Sequence, residues 1–95
     1  MDRLPLLNEE EQQAALKELS GWTIEDEKWL TRKRMFPSFP DAIAFVNHVA
    51  DIAERMNHHP FIAIDYRKVT IRITSWNSGG LTVLDIDSAK AYDQL

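Results

Sequence analysis

The sequence predicts a two-layer α+β domain with the element order α-β-β-α-β-β-α, in which helices cover one face of a four-stranded, mainly antiparallel sheet. Two observations lead to this prediction. Short stretches that alternate apolar and polar residues occur in two consecutive pairs, and a long stretch with apolar residues every three or four positions separates the pairs. Consecutive hairpins favour antiparallel pairing, and the helix between them must bury its apolar side against the sheet.

The first helix and the first hairpin are predicted from the N-terminal third of the chain. Asn8 and Glu11 have the spacing of a capping box, and apolar residues follow at helical intervals. Alternation begins at Trp22 and resumes from 29 to 36 after a polar turn at 25–28. These residues therefore predict one helix followed by two paired strands.

The central helix is the clearest element of the sequence. Ser38 is its predicted N-cap, Pro40 lies in its first turn, and Pro60 ends it. Its main apolar stripe comprises Phe39, Ile43, Val46, Ala50, Ala53 and Met56, and Phe45, Val49 and Ile52 widen it. A stripe this wide predicts burial on two sides, against the sheet and against a partner subunit, so we expect a homo-oligomer.

The second hairpin and the last helix complete the predicted order. Strands are expected at 61–65 and 68–76, with a turn near 66–67. A glycine-containing loop at 77–80 precedes Thr82 and Asp85, whose spacing predicts the cap of a final helix.

Length and composition limit the classes of function. Ninety-five residues predict one domain, 1–95, and 11 basic against 15 acidic residues leave a net charge of −4, which disfavours nucleic-acid binding. With no cysteine, the chain has no disulfide, thiolate nucleophile or cysteine-ligated metal. No apolar stretch has the length of a membrane span and no signal segment is visible, so we expect a cytoplasmic protein without membrane partners.

The histidines are the main candidates for chemistry. Glu54, Asn57 and His58 have the spacing that places a carboxylate, an amide and an imidazole on one face of the last helical turn, where His58 can exchange protons near neutral pH. The alternative is an ordinary helix end, since histidine is common in a last turn before proline. His58 and His59 point about 100° apart on a helix, which disfavours a metal site, and His48 is assigned no role.

Other conspicuous residues have simpler explanations. The basic run Arg32-Lys33-Arg34 is interpreted as part of a solvated strand. Asp85 is sufficiently explained as a helix cap. Trp76 is the tryptophan most indicative of ligand stacking, because it ends a strand on the polar face beside a flexible loop.

A longer pattern connects these residues. It runs through Glu54, His58-His59-Pro60, Tyr66, Trp76 and Asp85. Its spacing resembles the signature of the pterin-4a-carbinolamine dehydratases, and the element order and chain length extend the resemblance to the whole chain. The resemblance implies dehydration of 4a-hydroxytetrahydropterin to quinonoid dihydropterin and water during tetrahydrobiopterin recycling, by a homo-oligomer, with no metal or organic cofactor.

The resemblance also implies site residues. His58 and His59 take the catalytic positions. The substrate-binding positions fall on Glu54, Asn57, Thr74, Ser75, Trp76 and Asp85. Trp76 stands where the family commonly has a third histidine, and an indole cannot accept a proton, so proton transfer would depend on the two remaining histidines and water.

Two alternatives remain open at this point. Some animal members of the family also act as dimerisation cofactors of a transcription factor, so a protein-binding module without catalysis is one. An enzyme acting on another pterin-related substrate is the other. The intact Glu-His-His-Asp pattern favours an enzyme.

Overall fold

The computed structural model describes residues 3–95 and contains the predicted element order. The helices are α1 (Glu9–Glu18), α2 (Phe39–Met56) and α3 (Val83–Asp93), and the strands are β1 (Trp22–Glu25), β2 (Trp29–Met35), β3 (Phe61–Asp65) and β4 (Lys68–Ile73). The capping boxes of α1 and α3 and the Ser38 cap of α2 form as the sequence predicts. The α+β fold class is therefore confirmed.

The four strands form one sheet in the order β1-β2-β4-β3, with every neighbouring pair antiparallel. Strands β2 and β4 pair at the centre of the sheet and so join the two hairpins, with Leu30 opposite Ile73. Because directly paired residues lie on the same face of a sheet, Leu30, Ile71 and Ile73 contribute to a single apolar face, and all three are buried. The strands before and after α2 are thereby brought side by side.

Helix α2 buries a different stripe from the one given most weight in the sequence. Its buried residues are Ala42, Phe45, Val49, Ile52 and Ala53. Phe39 and Ala50, by contrast, are exposed, and Ile43 and Val46 are only partly buried. The sheet and α3 thus cover one side of the helix, and part of its apolar surface stays accessible in the single chain.

The basic run of β2 is not a solvated stretch, which corrects the sequence interpretation. Arg32 pairs with Asp93 of α3, and the Arg34 guanidinium lies 4.8 Å from the centre of the Phe45 ring. Both arginines point toward the helices because their paired residues, such as Ile71, belong to that face. Lys33, on the opposite face, is the exposed member.

Strand β4 is shorter than predicted. It ends at Ile73, and Thr74 and Ser75 are buried instead of continuing a solvent-facing alternation. Ser75 forms an isolated antiparallel bridge with Gly80, which closes the loop between them. In residues 3–95, no helix is long and apolar enough to cross a bilayer.

Candidate active site

A cavity of about 400 Å³ lies where the end of α2, the segment after β4 and the start of α3 meet. It falls within the size range of small-molecule sites. Six of its lining residues were predicted site residues: Asn57, His58, His59, Thr74, Ser75 and Trp76. Four more were not: Leu4, Asn77, Ser78 and Leu84. Glu54 and Asp85, also predicted, are absent from the lining.

The end of α2 determines how the histidines are presented. The helix stops at Met56, and Asn57 takes a left-handed conformation with φ 49° and ψ 44°. The chain therefore turns before His58, so the predicted helical face shared by Glu54 and His58 does not exist. Glu54 instead pairs with Nε2 of His59. Asparagine adopts this backbone region more readily than most residues, but helical spacing alone does not reveal it.

His58 is bound to a buried carboxylate from another element. Its Nε2 atom lies 2.7 Å from Oδ1 of Asp85, and Asp85 has no exposed surface. With Asp85 ionised, Nε2 donates the hydrogen of this bond, and Nδ1 is the ring nitrogen that is not bound to the carboxylate. Asp85 thus lies behind His58 rather than in the cavity wall.

The second oxygen of Asp85 is held by two donors. Oδ2 accepts from the Ser75 hydroxyl at 2.8 Å and from the Thr82 backbone N–H at 2.9 Å. The Ser75 hydroxyl also lies 2.8 Å from Thr82 Oγ1. Because Ser75 has one hydroxyl hydrogen and gives it to Asp85, the Thr82 hydroxyl must donate to Ser75. The helix cap and the histidine partner are therefore the same carboxylate.

The second histidine has a much more open setting. The side chain of His59 is 57% exposed and that of its partner Glu54 is 77% exposed, whereas the His58 side chain is only 12% exposed. Exposed ion pairs are weakly held in water. The cavity is thus lined by one largely buried imidazole, His58, and one largely exposed imidazole, His59.

Trp76 forms an exposed wall of the cavity. Its side chain is 71% exposed, and its ring makes an edge-to-face contact with Trp29, with centroids 5.2 Å apart. The indole is therefore outside the core, as the sequence predicts. Thr74 is buried nearby, and its hydroxyl oxygen has no hydrogen-bond partner among the residues that the structure describes.

The remaining lining residues differ in how visible they are in the sequence. Asn77 and Ser78 belong to the predicted loop, so their proximity to Trp76 was a detectable signal. Leu4 had none. It reaches the cavity because its carbonyl oxygen accepts a 2.7 Å hydrogen bond from Ser78 and because Leu7 donates to the carbonyl of Leu81.

The arrangement defines a class of protein: a small α+β domain with two imidazoles, each bound to a carboxylate, beside a cavity that can hold one small molecule. Such imidazoles can deliver and accept protons. The cavity combines them with an aromatic wall and two leucines. Its chemistry is therefore suited to acid–base work on a planar, partly apolar compound.

Comparison with known proteins identifies the family. A sequence model described as "Pterin 4 alpha carbinolamine dehydratase" matches residues 5–95. A relative from Trichormus variabilis named "Putative pterin-4-alpha-carbinolamine dehydratase" is 44% identical over 95% of this chain and 96% of its own length. One of the same name from Sulfurisphaera tokodaii is 37% identical, over 94% of this chain and 95% of its own length.

A solved structure agrees with the sequence comparisons. The crystal structure of a "transcriptional coactivator/pterin dehydratase" from Brucella melitensis matches with a TM-score of 0.90 and 31% identity, over 95% of this chain and 97% of the other. The chain belongs to the pterin-4a-carbinolamine dehydratase family.

Proposed function

We propose that this protein dehydrates 4a-hydroxytetrahydropterin to quinonoid dihydropterin and water, as a hydro-lyase in tetrahydrobiopterin recycling. Membership of the family supports the reaction. The observation that carries the proposal for this chain is the fixed pair formed by His58 and the buried Asp85 at the edge of a cavity of suitable size. A free imidazole nitrogen beside a bound substrate is what the proton transfers of this reaction require.

The reaction needs two proton movements and no electron transfer. A proton is delivered to the 4a-hydroxyl, the bond between C4a and that oxygen breaks, and water leaves. The N5 proton is then taken by a base, which leaves the carbon–nitrogen double bond of the quinonoid product. His58 and His59 are the proposed acid and base, and each such group contributes roughly 10²- to 10⁴-fold in rate. The proposed reaction uses no metal or organic cofactor.

The other predicted residues divide into two groups by position. Asn57, Thr74, Ser75 and Trp76 line the cavity and are proposed to form the substrate pocket. Glu54 and Asp85 are proposed to act through the histidines that they hold. Trp76 cannot titrate, so its proposed role is to pack against the pterin ring.

Rapid-mixing kinetics with freshly generated 4a-hydroxytetrahydropterin test the proposal. The wild-type chain should accelerate the dehydration, and His58→Ala and His59→Ala should each lower the rate more than about tenfold. His48→Ala is the matched control, because His48 is exposed on α2 and outside the cavity lining. Wild-type rates in both site variants would refute the assignment of the histidines.

The proposed setting is a homo-oligomer, a dimer or tetramer, in the cytoplasm. Support for assembly comes from the apolar surface of α2 that the single chain leaves accessible, above all Phe39, which is 47% exposed. Light scattering at tens of micromolar should give at least twice the chain mass. A mass near 11.0 kDa would contradict the assembly.

A protein-binding role is the second candidate function. It is favoured by the words "transcriptional coactivator" in the description of the Brucella melitensis structure. The two candidates separate in the kinetic experiment. A folded wild-type chain that leaves the uncatalysed dehydration rate unchanged would refute the enzyme and favour the binding module.

A further inference from the structure

A cluster of aromatic and charged side chains lies on the sheet face that the helices leave open, directly beside the cavity. Trp29 is its centre. Its ring contacts Trp76 at 5.2 Å between centroids, with the planes at 83°. On the same ring, the Arg72 guanidinium carbon lies 4.6 Å from the centroid. The mechanism above uses Trp76 but no other member of this cluster.

The carboxylate of Glu25 connects the cluster to the neighbouring strands through an ionic contact and a hydrogen bond. Arg72 Nε lies 3.4 Å from Glu25 Oε1, and the same carboxylate oxygen accepts a 2.9 Å hydrogen bond from the hydroxyl of Thr31. Thr31 is buried. Sheet register explains the arrangement, since Glu25 is paired with Trp29 and Thr31 is paired with Arg72. Three neighbouring strands thus support one indole ring.

Trp76 needs such support because it lies in the segment after β4 and is 71% exposed. Exposed side chains change rotamer in picoseconds to nanoseconds, and immobilising one on binding reduces affinity. An edge-to-face contact occupies at most one face of the Trp76 ring. At least one face therefore remains free to pack against a ligand in the cavity.

The charge balance of the cluster indicates which part of a ligand can bind next to it. Glu25 neutralises Arg72, and Oδ2 of a second carboxylate, Asp26, lies 3.8 Å from Nη2 of Arg72. An anionic tail would gain little from this cation. A flat, uncharged ring packed against Trp76 is the ligand portion that fits.

We propose that Trp29 is a positioning residue for Trp76: it holds the indole at the cavity so that the planar bicyclic ring of the substrate packs on it, and Arg72 and Glu25 hold Trp29. The inference rests on the proposed function, because it takes the ligand to be a pterin. It differs from that function in assigning part of substrate recognition to the open face of the sheet.

Equilibrium binding of 7,8-dihydropterin, measured by calorimetry, tests the proposal. Trp29→Ala should weaken binding about three- to tenfold, the scale of one lost aromatic pair. Trp29→Phe keeps an aromatic partner for Trp76 and should recover most of the affinity. Met35→Ala is the control, because Met35 lies on the same strand and face as Trp29, is 61% exposed, and is outside the cavity lining.

A double-mutant cycle separates positioning from general structural damage. If Trp29 acts through Trp76, Trp29→Ala should have no further effect on affinity in a Trp76→Ala background. Two independent readouts accompany it. The circular dichroism couplet of the two indoles should disappear in either single variant, and in the dehydration assay Trp29→Ala should raise KM with kcat nearly unchanged.

The outcomes are distinguishable. This inference is overturned, and the proposed function left intact, if wild type binds dihydropterin and Trp29→Ala binds it equally well. The same holds if Trp29→Ala lowers the affinity equally in the wild-type and Trp76→Ala backgrounds. Failure of the wild-type chain to bind dihydropterin overturns both. If Trp29→Ala does not fold, Arg72→Lys provides the test, because it removes the planar group over Trp29. This variant should also bind dihydropterin more weakly than wild type. Unchanged affinity would overturn the inference.

Discussion

His58 Nε2 lies 2.7 Å from Oδ1 of Asp85, a carboxylate with no exposed surface, whereas the adjacent His59 pairs with Glu54 in the open. The two histidines are neighbours in sequence, but their carboxylate partners come from different helices. The His58–Asp85 pair is largely buried, and the His59–Glu54 pair is solvated. This asymmetry leads to the first prediction.

Replacing the two carboxylates by amides should have unequal effects on catalysis. Asp85→Asn puts an amide that can donate next to Nε2 and so favours the wrong tautomer of His58, and we expect kcat to fall about 10²-fold or more. Glu54→Gln should change it less than about fivefold, because exposed pairs contribute little. Rapid-mixing kinetics provide kcat, and ring ¹⁵N shifts report the tautomer. Equal losses in the two variants would contradict the asymmetry.

Ser75→Ala should destabilise the fold through Asp85. The substitution removes one of the donors to a fully buried carboxylate, and we expect the free energy of unfolding in urea to fall by about 1 to 3 kcal/mol. Ser20→Ala, at an exposed position after α1, is the control and should change it little. Equal stability of the two variants would show that the Ser75 hydrogen bond contributes nothing.

Substitutions at Asn57 separate its backbone role from its side chain. Its φ of 49° suits glycine, so Asn57→Gly should fold with near wild-type stability, whereas Asn57→Ala should be less stable than Asn57→Gly by about 1 kcal/mol. Urea denaturation measures both. If the Asn57 amide also contacts the pterin, both variants should bind 7,8-dihydropterin more weakly than wild type. Equal stability of the two would argue against a left-handed residue at the end of α2.

Tyr92 predicts a loss of stability at alkaline pH. Burial raises the pKa of Tyr92 to about 12, above the unfolded value of about 10. As pH rises, the unfolded chain therefore releases this proton before the folded chain does. The contribution of Tyr92 to the free energy of unfolding is fully present below pH 10, and we expect up to about 3 kcal/mol to be lost as pH approaches 12.

Variants isolate the contribution of Tyr92. Tyr92→Phe should lose less stability between pH 10 and 12 than wild type, while Tyr66→Phe, at a residue 66% exposed, should behave like wild type. The exposed Glu18–Lys90 pair, which raises the pKa of Lys90, also weakens in this range but is common to all three proteins. If the stability of wild type, Tyr92→Phe and Tyr66→Phe falls in parallel with pH, the alkaline loss does not come from Tyr92.

Trp76→His introduces the third histidine that the family resemblance implies as common at this position. Because Trp76 is 71% exposed, the melting temperature should change by only a few degrees. The new imidazole adds a group that can exchange protons, so the dehydration rate should hold or rise. A large fall in melting temperature with unchanged 7,8-dihydropterin affinity would show that Trp76 serves the fold and not the site.

The element order, the helix caps and the paired histidines could all be predicted from the sequence. Each depends on local spacing: capping residues at Asn8, Ser38 and Thr82 act on backbone groups three residues away, and alternation follows from the geometry of a strand. His58, His59 and Trp76 were predicted together because they belong to a fixed pattern along the chain, and all three line the cavity.

Only the tertiary structure decided which groups meet. Asp85 lies 27 residues from His58, and it becomes a partner because β4 pairs with β2 and leads Ser75 and α3 back to the end of α2. The choice of Glu54 for His59 depends on one left-handed residue, Asn57. Strand order and a single backbone dihedral result from the packing of the whole chain, and helical or strand periodicity contains no information about either.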